Sequence, residues 1–205
     1  MNVIEILILV LSVAVLIALY YLFFYEDSPL KKKSGGKDLP AEKQAAQALR
    51  TANGYARSHG GKVLAPALIA KDGKFAEADF IIVGYYGVTA VKCIPMGGEI
   101  YGTAQDETWL QVLGGQRKSV PNPLLGLEAG ARLVRDTLFT AKLKNVPVEM
   151  IAVFTNPKAT IAVGKSAGYF TLKTFKQLLR KDKYLQDKNV DVDATLAAIS
   201  QWVQA

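Results

Sequence analysis

From Ile6 to Tyr25 the chain runs for 20 residues, "ILILVLSVAVLIALYYLFFY", without a charge. No other feature restricts the fold as strongly. As a helix at ~1.5 Å per residue, this run reaches roughly 30 Å, the thickness of a bilayer's hydrocarbon core. The alternative, a helix buried in a protein core, is seldom so long. No Lys or Arg precedes the run and no small-x-small site follows it, so it does not read as a cleavable signal. The expected organisation is a transmembrane anchor over residues 1–25, a basic linker over 26–40 and one domain over 41–205. Lys31, Lys32, Lys33 and Lys37 all follow the span. The positive-inside rule therefore places the N-terminus outside and the domain in the cytoplasm of a single-pass protein. Those lysines either set topology alone or also meet anionic headgroups, which makes the lipid bilayer the first expected partner.

Net charge is +7; without Glu5 of the anchor, 25 basic residues face 17 acidic ones, or +8. That balance suits a polyanion: nucleic acid, bound without sequence preference and weakened by salt, or the inner leaflet. The sequence names no protein partner. A single cysteine, Cys93, excludes an intrachain disulfide and a cysteine-rich zinc site. His59, the one histidine, lies in a glycine-rich loop, which argues against histidine-based metal or nucleophile chemistry.

Periodicity orders the domain. "AEKQAAQALRTANGYA" predicts a helix capped by Asp38, with Pro40 in its first turn and a small apolar stripe of Ala45, Ala46, Leu49 and Ala52. Strands are expected over 63–70, 76–84, 87–94 and 98–104, with another over 108–114. A helix follows over 122–143, then strands over 148–156 and 160–164, and helices over 172–181 and 193–204. "MIAVF" suits a central strand covered on both faces. The order predicts an α/β fold, a mixed sheet flanked by helices, with no internal repeat.

"AEKQAAQAL", "EADFIIVGYYGV", "GGEIYG", Trp109, "NPL" at 122–124 and "VPVEMIAVFTN" occur in an order that resembles the nuclease-related domain, or NERD, family. The likeness runs over roughly residues 38–160. It implies a restriction-endonuclease-like fold, a cell-membrane location in a bacterium, and a P-D-(D/E)-x-K site. In such a site two acids on adjacent strands hold Mg²⁺ through hard oxygen ligands. A lysine two residues beyond the second acid shares its strand face and handles the attacking water.

Laid onto this chain, the pattern gives Asp79 as the first metal-binding aspartate and Glu42 as either a helix acid of the site or a solvated one. The second acid position falls on Lys92 and the lysine position on Ile94. Two polar helix positions fall on Gly126 and Gly130. A divalent ion 4 Å from the Lys92 ammonium would be disfavoured by on the order of 8 kcal/mol at an effective dielectric of ~20. The expectation is a lost site, a pseudoenzyme without cofactor, in which Lys92 either pairs with Asp79 or snorkels from a strand edge. The alternative is an active nuclease in which Glu77 or Glu99 supplies a migrated acid, Lys92 positions water, and Mg²⁺ returns. Glu77 is expected on the same strand face as Asp79.

Lys92, Tyr85 and Tyr86 are candidates for anion or base contacts, the tyrosines alternatively for packing. "LKTFKQLLRKDK" either lies on headgroups or covers the sheet. "VGKSAG" and "HGGK" lack the glycine spacing of a phosphate loop.

Overall fold

A computed structural model describes residues 40–204. The expected anchor, the linker up to residue 39 and the Asp38 cap lie outside the described residues. Among the described residues, no helix is long and apolar enough to cross a membrane.

Helix α1, Ala41–Ser58, begins after Pro40, which is the N-cap and not part of the first turn. Its buried face is Gln44, Ala48, Ala52 and Ala56, spaced by four; of the expected stripe Ala52 belongs to it, Leu49 packs partly buried against the same cluster, and Ala45 and Ala46 are half-buried beside it. The alanines let the helix lie close against the sheet. Then come strands β1 (Lys62–Leu64), β2 (Ala67–Lys71), β3 (Lys74–Ala78), β4 (Phe80–Gly84), β5 (Gly87–Ile94), β6 (Gly98–Tyr101), β7 (Thr108–Leu113) and β8 (Gln116–Pro121). After helix α2 (Leu127–Thr140) follow β9 (Val148–Phe154), β10 (Ala159–Ala162) and β11 (Tyr169–Thr171). Helices α3 (Leu172–Leu178), α4 (Asp182–Leu185) and α5 (Val192–Ser200) end the domain.

The result is mixed α/β with three sheets. The five-stranded central sheet has the order β1-β4-β5-β9-β11. Its β1, β4 and β5 are antiparallel neighbours, while β5, β9 and β11 run parallel. A four-stranded sheet, β10-β6-β7-β8, and the hairpin β2-β3 complete the fold.

Strand alternation assigns each residue of the central sheet to one of two layers. Ile81, Val83, Val88 and Ala90 meet Leu133, Val134 and Leu138 of α2 and Ile199 of α5. Phe80, Ile82, Val91 and Val153 meet Ala48 and Ala52 of α1 and Phe175 of α3. A third cluster joins Ile94, Ala152 and Phe154 to Ile100 and Trp109 of the four-stranded sheet. At the other end of β9, Glu149 accepts hydrogen bonds from Tyr184 Oη at 2.6 Å, Lys183 Nζ at 2.9 Å and Thr89 Oγ1 at 3.2 Å, tying α4 to the sheet.

The expected strand 76–84 is two strands broken at Asp79. Ala76 and Ala78 lie in the same layer as Ile81 and Val83, so the even-odd alternation changes phase across Asp79. One extra residue at that point hands the chain from the β2-β3 hairpin to the central sheet, in the manner of a bulge. The helix expected from residue 122 starts at Leu127, because Asn122 to Gly126 form a turn. β8, β11 and α4 are absent from the periodicity reading; β8, "QRKSVP", is polar and mostly exposed.

Candidate functional site

The residues that carry the family pattern divide between a packed wing and an open rim. In the wing, Trp109 is buried and its Nε1 donates to the Thr103 carbonyl at 2.7 Å. Gly102 lies directly beneath the indole, where a Cβ would run into the ring. Asn122, also buried, donates through Nδ2 to the carbonyls of Thr103, Ala104 and Asp106, and its Oδ1 accepts from Leu124 N at 2.9 Å. Thus "YG", Trp109 and "NPL" form one structural staple: the asparagine closes the 103–106 loop over the tryptophan.

The rim is formed by the β3-β4 break and the end of β5. Asp79 is exposed. Its main-chain N donates to Val91 O at 2.8 Å, and its carboxylate accepts from Cys93 N at 2.6 Å. The aspartate therefore serves as a main-chain acceptor for β5 at the strand break. It also helps raise the Cys93 thiol to about 12, second to burial as a cause.

Lys92 opposes Ala152 on β9, in the layer of Ala90 and Ile94. It emerges where the first and third core clusters part, and is 30% exposed. Its ammonium pairs with Glu77 at 2.9 Å; the expected pair with Asp79 does not form. The expectation that Glu77 and Asp79 share one strand face fails for the same reason, since β3 ends at Ala78.

Lys92 and Glu77 line a cleft of about 170 Å³ with Phe75, Met150, Gly126 and Gly130. The sequence pattern thus brings Lys92 and both helix glycines to one place. Gly126 caps α2 in the left-handed conformation, at φ 85°. Gly130 packs against Met150 and Ala76, where a Cβ would strike Met150 Sδ. Asp79 is not among the residues lining this cleft. Ile94 is not there either; it is 3% exposed, in the core beneath Trp109 and Phe154. Its place beside a cleft is corrected by the second sheet, which folds over the end of β5.

The other candidates are dispersed. Glu42 is an exposed acid in the first turn of α1. Glu99 accepts a hydrogen bond from Tyr101 Oη at 2.6 Å on β6. Tyr86 is core: it is buried, donates to Thr89 Oγ1 at 3.2 Å and meets Tyr184 edge-on. Burial holds the Tyr86 phenol well above its ordinary range. Of the pair, Tyr85 is the one exposed to solvent. Of "LKTFKQLLRK", expected as a helix to residue 181, only "LKTFKQL" forms α3, and its Phe175 and Leu178 cover the sheet. Among the described residues, no three His, Cys, Asp or Glu side chains converge to hold a metal.

A larger concavity, of about 590 Å³, lies between α1 and α3. The sequence reading did not single it out. The available signal was the spacing of four that puts Arg50, Gly54 and Ser58 on one face of α1, with Thr51, Tyr55 and His59 beside them.

No curated protein and no solved structure matches the chain. The model of the nuclease-related domain matches residues 37–155, more than half of the 205. The match takes in both the Trp109–Asn122 staple and the Asp79–Lys92 rim, and on it the chain belongs to the NERD, or nuclease-related domain, family.

Proposed function

We propose that this NERD domain is a catalytically inactive, nuclease-related binding or scaffold module of restriction-endonuclease-like type. It is held at the cytoplasmic face of a bacterial cell membrane by a single N-terminal span. The observation that carries the inactive reading is the Lys92–Glu77 ion pair in the cleft where the family resemblance places a metal-binding acid. The donor set does not suit Mg²⁺. Asp79 spends a carboxylate oxygen on Cys93 N, Lys92 brings a cation, and Ile94 is packed in the core. Hard divalent ions need several converging oxygens.

The order helix α1, strands β1, β4 and β5, helix α2, strand β9 supports the restriction-endonuclease-like assignment. The uncharged run Ile6–Tyr25 and the lysines after it support the anchor and its orientation. The net charge of +7 supports a polyanionic partner, with nucleic acid bound independently of sequence.

The test is binding and cleavage of DNA and RNA by the full chain in phosphatidylcholine nanodiscs, with and without Mg²⁺ or Mn²⁺. Salt-sensitive binding without cleavage is expected. Metal-dependent cleavage abolished by Asp79→Ala would establish the migrated-site nuclease instead. Orientation is read separately: protease added outside intact cells should leave the Lys31–Lys33 segment uncut.

A further inference from the structure

On the face of the central sheet that carries α1, the last turns of that helix and the end of α3 enclose the groove of about 590 Å³. That volume is typical of small-molecule sites. Three cations border it: Arg50 on α1, Lys176 on α3 and Arg180 just beyond α3. No Asp or Glu lines it. Among the described residues, none of the three cationic side chains has an ion pair or hydrogen bond. Three unneutralised cations around one concavity call for an anion of more than one charge.

Two aromatic rings also line the groove. Tyr55 and His59 stack at 4.6 Å between ring centroids, with 22° between planes. Both rings are fixed from behind. Tyr55 Oη donates to Tyr184 O at 2.5 Å, and His59 Nδ1 bonds the Tyr55 carbonyl at 2.9 Å. Each ring covers one face of the other, so the ring face left for a planar heterocycle is that of the exposed His59 turned away from Tyr55.

Gly54 is the least expected residue of the groove. Glycine disfavours a helix interior, and a Cβ at this position would meet no heavy atom within 4 Å. Packing does not require it. Its missing side chain leaves the space between Arg50 and Ser58 open, one turn to either side.

We propose that this groove binds a nucleotide, with the phosphates on Arg50, Lys176 and Arg180 and the base on the outer face of His59, which Tyr55 backs. The site shares no residue with the Lys92 cleft and does not depend on whether that cleft cuts nucleic acid.

The experiment is calorimetric titration of adenosine diphosphate into the full chain in phosphatidylcholine nanodiscs. Parallel titrations use inorganic pyrophosphate and a water-soluble short-chain phosphatidylglycerol. Saturable one-to-one binding is expected, at least fivefold weaker in Arg50→Ala and in Arg180→Ala, and weaker for pyrophosphate than for the nucleotide. Gly54→Leu should abolish binding without lowering the melting temperature, since it fills space and removes a helix-disfavouring residue. Absence of saturable nucleotide binding to the wild type at millimolar concentration would overturn the proposal, as would undiminished binding by Gly54→Leu. Pyrophosphate binding as tightly as the nucleotide would reassign the groove to bare phosphate. Phosphatidylglycerol binding alone, lost in Gly54→Leu, would reassign it to a lipid headgroup; either result overturns the nucleotide.

Discussion

Around Trp109 and Asn122, the polar atoms of both side chains are bonded inside the protein and both residues are buried. Around Asp79 and Lys92, carboxylates and ammonium face solvent, and the partners are a strand main-chain N–H and a neighbouring acid. Both regions belong to the matched NERD segment. The first holds its loop and tryptophan together through packing and internal hydrogen bonds. The second is where the family resemblance places metal-binding residues. The difference teaches that one matched segment holds both a closed, internally bonded wing and a solvent-facing rim, so the match by itself does not say which of them does chemistry.

The comparison breaks if the wing proves dispensable or the rim proves structural. The largest effect is expected at Ile94, the rim position that the wing has covered. Ile94→Lys puts an unpaired cation beneath Trp109 and should destabilise by ~3 kcal/mol or more, visible as loss of the cooperative melting transition. A pattern-restoring Lys92→Glu/Ile94→Lys chain should therefore fail to fold before its metal affinity can be read. Trp109→Ala empties the wing's core and should cost about 3–5 kcal/mol in denaturant unfolding. Asn122→Ala removes the buried amide that holds the carbonyls of Thr103, Ala104 and Asp106 and should cost about 1 kcal/mol.

A chemical probe sharpens the comparison at the rim. Cys93 lies beside Asp79, and burial, with that carboxylate second, lifts its pKa from 9.0 to about 12. Its neutral form is the one compatible with the fold. This contribution to stability is full below the ordinary thiol pKa and is lost as pH rises through about 12. At pH 9, alkylation of the native chain should be more than tenfold slower than of the urea-unfolded chain; equal rates would show that the rim opens freely. The smallest effect is expected at the ion pair itself. Lys92→Met should change stability by no more than ~1 kcal/mol, because Glu77 is largely exposed. A larger loss would make Lys92 a structural residue and remove it from the site.

Much of the fold was legible because periodicity is local. The bounds of β5 were read correctly, since "GVTAVKCI" lies between glycine-containing turns. β8 was not, since "QRKSVP" is polar and becomes a strand only by pairing with β7. Of the rim, the convergence of Lys92 with Gly126 and Gly130 followed from the family resemblance. The ion-pair partner did not, because a strand read as continuous hides the change of phase at Asp79.

By itself the sequence determined the α/β order and the family. These follow from residue type and spacing along the chain. Only the tertiary structure decided that Lys92 meets Glu77, that Ile94 and Tyr86 are core, and that α1 buries Gln44, Ala48 and Ala56. It alone brought Arg50, Lys176 and Arg180 around one groove. The physical reason is the same in each case. Alternation along a strand or helix says which residues share a face, while what covers that face is set by elements far away in the chain.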